Sequence, residues 1–194
     1  MRALYSRYIT DLYQDIPEGI YKGLLSVFCL GLVFLIASKD FQKGWKLSAG
    51  LLAIEYIVLI YCATVFFRAF SETAGHDFTP LWSYRAIENG RNDLLAENIM
   101  NVVVFVPLGL LLSCAWQRLK WWMVLLIGLG ISMSIESLQF VMKRGFSEVD
   151  DVIHNTLGCL IGIMIVTIIK GIWKFCSYLF VLQWGNKRRK MAGV

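Results

Sequence analysis

Two carboxylates, Glu55 and Glu136, stand inside long apolar stretches where a charge is expensive. An ionisable residue within a membrane-spanning helix costs about 2.5 to 3.5 kcal/mol on insertion scales, so it faces a bundle interior and points to function by default. Around Glu136 further polar residues recur at helical spacing. Ser132, Glu136, Gln139 and Lys143 are separated by four, three and four residues, which makes one stripe along a helix. Asp151, Asn155, Gly158 and Gly162 repeat that spacing. Asn98, Asn101 and Phe105 begin a comparable stripe earlier in the chain, followed by Pro107 and Gly109.

These residue types suit a polar pocket. A carboxylate removed from water needs donors, and Asn101, Gln139, Arg144 and Asn155 can supply them. The candidate ligand-binding set is therefore Asn101, Glu136, Gln139, Arg144, Asp151 and Asn155. An enzymatic use of the same residues makes Glu136 a general base raised in pKa by desolvation. Asp151 or His154 would assist it, and Arg144 would hold a phosphate or carboxylate. A third use is structural: the groups bond one another and lock the bundle. Ser132, Ser134 and Ser137 flank Glu136, but no G-x-S-x-G or Ser/His pairing makes one a nucleophile. The mixed amide and carboxylate set is not a recognised metal spacing, and no cofactor is implied. Glu55, deeper in its helix, reads as structural. Gly158 and Gly162 fit a close helix–helix approach, and Pro107 removes a backbone hydrogen bond inside its helix.

The elements that must position these residues are membrane helices. Of 194 residues, 57% are hydrophobic and 17% charged, and the mean hydropathy is +0.59. A water-soluble domain of this size would need more charge on its surface. The apolar residues also fall in blocks near the roughly 20 residues that a helix needs to cross the hydrocarbon layer. The blocks predict an all-α, polytopic bundle of about five transmembrane helices in a single domain. The spans run over residues 20–37, 47–67, 99–116, 121–142 and 152–169. The first reads as a retained helix rather than a signal peptide. Residues 1–16 read as a surface segment, and the stretch beyond Lys170 as a helix continuation or an interfacial segment.

Charge sets the expected orientation. Lys39, Lys43, Lys46, Arg118, Lys120 and the run Lys187 to Lys190 gather on one side, which the positive-inside rule makes cytoplasmic. The N-terminus is then outside, and the polar stripes lie in the outward leaflet. The net charge of +5 belongs to this topology and not to nucleic acid. Five scattered cysteines without a C-x-x-C suggest neither disulfides nor zinc.

Several motifs resemble one family. Asn101-Val-Val-Val-Phe105-Val-Pro107-Leu-Gly109 resembles the N-x-x-x-F-x-P-x-G signature of VanZ-like proteins. Ile135-Glu136 with Gln139 resembles their I-E-x-x-Q element. Arg144-Gly-Phe146, followed by Asp151, Asn155, Thr156, Gly158 and Gly162, resembles their R-x-F…D-x-x-x-N-T-x-G-x-x-x-G block. The run Phe78-Thr79-Pro80-Leu81 stands where the family carries an N-x-x-P-F-like loop, with Asp77 and Leu81 departing from it. The signature is densest over residues 78–162. The resemblance implies a small multi-helix protein of the bacterial cytoplasmic membrane that contributes to teicoplanin resistance without altering the peptidoglycan precursor terminus. Its expected partners are membrane lipids and a lipid headgroup or cell-wall precursor. The alternatives are an intramembrane enzyme and a lipid or small-molecule transporter. Phe105, Pro107, Gly109, Gly158 and Gly162 are expected to be structural.

Overall fold

The apolar blocks form helices because, away from water, a segment must satisfy its own backbone N–H and C=O groups. The computed structural model describes residues 18–37, 41–72 and 75–191. In chain order these are α1 (Glu18–Ala37), α2 (Phe41–Tyr61), a π-helical turn (Cys62–Phe66), β1 (Gly75–Asp77), α3 (Trp82–Glu88), α4 (Asp93–Ala115), α5 (Trp121–Met142), β2 (Phe146–Glu148) and α6 (Val149–Met191). Among the described residues, four helical segments are long and apolar enough to span a membrane: Gly44–Phe66, Asp93–Ala115, Trp121–Met142 and Val149–Phe180. The first helix, α1, has 20 residues, and several of its side chains lie outside the described set. The surface segment expected over residues 1–16 lies outside it entirely. The chain is thus an all-α, multi-pass membrane protein.

Helix α4 is the centre of the bundle. It packs most extensively on α6, and also against α2, α5 and the short α3, while α1 rests on α2. Glycines explain the α4–α6 contact. A Cβ at Gly158 would meet the Val102 carbonyl group and stand 3.0 Å from the Phe105 Cβ; at Gly162 it would stand 2.8 Å from the Leu110 backbone nitrogen. A Cβ at Gly109 would run into the Cys159 backbone in return. Small residues let helix backbones touch, and that contact replaces the hydrophobic drive that lipid cannot supply. Phe105, Leu108, Leu112, Val124, Ile135, Cys159 and Ile163 close the core around the seam. Helix α4 runs unbroken through Pro107, and the Tyr56 hydroxyl donates to the nearby Val104 carbonyl at 2.7 Å.

One boundary differs from the sequence expectation. The third span begins at Asp93, six residues earlier than residue 99, because Glu97 faces the polar cavity and Asn98 donates to the Ser83 hydroxyl. Beyond residue 169 the chain takes the helical one of the two courses expected for it: the last helix continues to Met191, 43 residues in all. At about 1.5 Å per residue, that is roughly twice the thickness of a hydrocarbon core. Lys170 marks where it leaves the bundle, because its ammonium donates to the Ser113 carbonyl in the last turn of α4 at 3.2 Å.

The opposite end carries an element with no sequence signal. Strands β1 and β2 pair in parallel, with Gly75 opposite Phe146, His76 opposite Ser147 and Asp77 opposite Glu148. Phe70 forms a bridge with Arg144, and the Ser71 N–H donates to the Lys143 carbonyl at 2.8 Å. The segment following α2 is thereby stapled to the turn between α5 and α6.

Candidate functional site

Helical periodicity brings one face of each of three helices to a common point at this end of the bundle. Helix α4 contributes Glu97, Asn101 and Phe105 at intervals of four, α5 contributes Glu136 and Gln139, and α6 contributes Asp151 and Asn155. Thr64 and Arg68, in and just after the π-helical turn, complete the lining of a cavity of about 30 Å³. One water needs roughly 10 to 15 Å³ on this measure, so the space suits two waters or one small polar group.

The polar side chains here are only partly satisfied. Asn101 donates to Asp151 at 2.6 Å, and Asn155 donates to the Ser132 hydroxyl at 3.0 Å. Glu136 accepts the backbone N–H of Glu148 at 2.9 Å. Its carboxylate thus sits against the N-terminus of α6, where the helix dipole favours negative charge. Gln139 donates to the Thr64 carbonyl at 3.0 Å. Its own amide oxygen is buried without a partner among the described residues, and the residue is only 3% exposed. Glu97, Glu136 and Asp151 bring three carboxylates to the lining, against Arg68 as its only cation among the described residues. The site is rich in acceptors and short of donors. No group of three or more His, Cys, Asp or Glu among the described residues is arranged to hold a metal ion.

Of the six candidate ligand residues, Asn101, Glu136, Gln139, Asp151 and Asn155 line this cavity. Arg144 does not. Its guanidinium donates to the backbone carbonyls of Phe66 and Arg68, the latter at 3.2 Å. Arg144 holds in place the segment that carries Arg68. Gly145 makes room for that arginine: its φ is +95°, and a Cβ there would stand 2.8 Å from the Arg68 Nε. Arg68, Glu97 and Thr64 were missed as site residues. For Glu97 a signal existed, because it lies one turn before Asn101 on the same face. For Arg68 none did, since it follows a helix and reaches the site only through long-range contacts.

The neighbouring acids divide the work. Asp150, fully buried, accepts the N–H of Leu81 at 2.5 Å, the N–H of Ser83 at 2.9 Å and the Ser83 hydroxyl at 2.5 Å. Asn98 donates to that same hydroxyl oxygen at 3.1 Å. The Trp82 indole donates to Glu148 at 2.9 Å, and Tyr84 pairs with His154 at 2.9 Å. All of these fasten α3 to α4, β2 and α6. His154 therefore stands against Tyr84 and not in the cavity lining.

Burial pushes the Glu148 carboxyl up from 4.5 to about 7. The negative charge of Glu97 adds to this, the Trp82 hydrogen bond opposes it, and Asp150 and Asp77 contribute smaller repulsions. A carboxyl with a raised folded-state pKa gives stability that is complete below about 4.5 and is lost as pH rises through about 7. Thermal unfolding of the purified protein should therefore show a Tm several degrees lower at pH 8 than at pH 5. Glu148→Gln, which still offers the indole an acceptor, should flatten that part of the profile. A mutant profile as steep as the wild type would remove Glu148 as the cause.

The profile of the VanZ/LLP1 family matches residues 23–170. The chain is also similar to Protein VanZ of Enterococcus faecium, at 31% identity over 123 residues, covering 62% of this chain and 73% of that protein. No solved structure matches it.

Proposed function

The chain belongs to the VanZ/LLP1 family, and on that premise we propose that it protects a bacterial cell against teicoplanin-type lipophilic glycopeptides by holding a polar envelope group in the α4–α5–α6 cavity. The end carrying the cavity faces outward in this reading. The support is the basic character of the other end, where Arg118, Lys120 and Lys170 lie close to the ends of α4 and α5. The group held is a lipid headgroup or part of a cell-wall precursor.

One observation carries the reading. Six polar residues from three helices converge on one cavity and leave acceptors open, including the buried Gln139 oxygen. A purely structural network would pair these atoms with one another, because an unmet buried polar group costs about 1 to 3 kcal/mol. The decisive substitution is Glu136→Gln. Glutamine can still accept the Glu148 N–H, so the start of α6 is kept while the charge is lost. In a susceptible host, teicoplanin protection should fall to the level of cells without the protein, at unchanged membrane abundance. Full protection by the variant would overturn the reading.

The presence of both Glu136 and Asp151 in one cavity favours a second reading, an intramembrane enzyme with Glu136 as general base. Comparing lipids and cell-wall precursors of expressing and null cells separates the two. A new molecular species would indicate catalysis, and its absence would indicate binding alone.

A further inference from the structure

Glu136 lines two spaces. On one side is the polar cavity; on the other is an apolar groove of about 260 Å³ between α5 and α6. Met133, Phe140 and Val141 of α5 and Val149 and Val152 of α6 line it, together with Phe78. Phe78 is held there by packing with Phe140, at 6.3 Å between centroids, and by His76, which lies against both rings. The α5 wall belongs to a membrane-spanning segment and is open to the surroundings, with Met133 54% and Val141 75% exposed. The medium against it is the hydrocarbon of the bilayer.

The two spaces have complementary chemistry. The groove is several times larger than the cavity and offers apolar walls suited to a chain. The cavity has room only for a small group, and it presents three carboxylates and the unpartnered Gln139 oxygen against a single arginine. Glu148 adds a further carboxylate at the groove. A guest matching both parts carries an acyl chain and a small cation with N–H donors. A quaternary ammonium has the charge but no N–H to give Gln139, a phosphate terminus carries the opposite charge, and a hydroxyl terminus carries none.

We propose that the cavity is entered sideways from the outer leaflet, and that its guest is a membrane lipid with a primary ammonium headgroup. The acyl chain lies in the α5–α6 groove and the ammonium passes Glu136 into the acceptor-rich cavity. The proposal rests on the binding role given to the cavity above and adds the route and the class of ligand.

The test uses the full chain in phosphatidylglycerol vesicles, each containing a small fraction of one lipid with a photoreactive acyl chain. That lipid is phosphatidylethanolamine, phosphatidylcholine or phosphatidylglycerol. Phosphatidylethanolamine should label peptides from residues 133–152 at least about fivefold more than either of the others. Val152→Trp should abolish that excess by filling the groove. Met133→Trp, at a wall position exposed enough to fold normally, should do the same if Val152→Trp does not accumulate. Glu136→Gln should leave the labelled peptides the same while levelling the three lipids.

Equal labelling by all three lipids in the wild type, or labelling spread evenly over the lipid-facing helices, would overturn the proposal. If that result came together with loss of teicoplanin protection in Glu136→Gln, the route and ligand would be wrong and the cavity's role would stand. If Glu136→Gln kept full protection while the labelling went as expected, the groove would stand and the resistance role would fall.

Discussion

Asp150→Ala should destabilise the folded chain by about 2 to 4 kcal/mol and free α3 from the bundle. The carboxylate is 0% exposed and accepts three donors: two backbone N–H groups and the Ser83 hydroxyl. An unsatisfied buried donor costs about 1 to 3 kcal/mol, and removing the charge recovers some of its own desolvation cost, so the net loss is smaller than the sum. Leu81 increases the effect. It has a left-handed backbone, φ 62°, which is unfavourable for a leucine and persists because its N–H is held by Asp150. Asn98 loses its anchored partner as well, since Ser83 would no longer be fixed. Asp150→Asn keeps one acceptor oxygen and should cost less than half as much. The checks are thermal unfolding in detergent and limited proteolysis across residues 67–92. An unchanged Tm with unchanged protection of that segment would show that the clamp is dispensable.

Gly158→Val should be more damaging still, at about 3 kcal/mol or more, with loss of the protein from the membrane. The added side chain meets the Val102 carbonyl group and comes within about 3 Å of Phe105. Overpacking ordinarily costs about 1 to 3 kcal/mol when side chains can give way. Here the obstacle is backbone, so α4 and α6 must separate along the seam that aligns Asn101 with Asp151. The control is Gly171→Ala. Nothing lies within 4 Å of that Cβ, so only helix propensity changes, and alanine should gain up to about 1 kcal/mol. Membrane abundance and unfolding temperature of the two variants check the contrast. Similar values would mean that close α4–α6 contact is not what holds the bundle together.

Local pattern and long-range folding left different marks on the chain. Spans were legible because lipid demands long apolar segments with internally satisfied backbones, and the fourth, Trp121–Met142, has the boundaries expected. Side-chain faces were legible wherever one helix settles them. The four-and-three spacing that joins Glu136 to Gln139 and Asp151 to Asn155 is a property of each helix alone, and both pairs line the same cavity. Adjacent residues were harder to separate. Asp150 and Asp151 look alike in sequence, yet a turn of 100° between them sends one to α3 and the other to the cavity.

By itself, then, the sequence determined a multi-pass helical membrane protein of a VanZ-like type, with polar stripes on three helices and small residues where two of them touch. Those features follow from composition and from periodicity within single segments. Only the tertiary structure decided that Arg68 and not Arg144 stands among the carboxylates, that β1 pairs with β2, and that Glu136 separates a polar cavity from an apolar groove. Each of these depends on contacts between residues far apart in the chain, such as Arg144 with the Phe66 carbonyl 78 positions away. Such contacts form because buried backbone groups must find partners wherever the packed helices place them, and no local spacing encodes which partner that is.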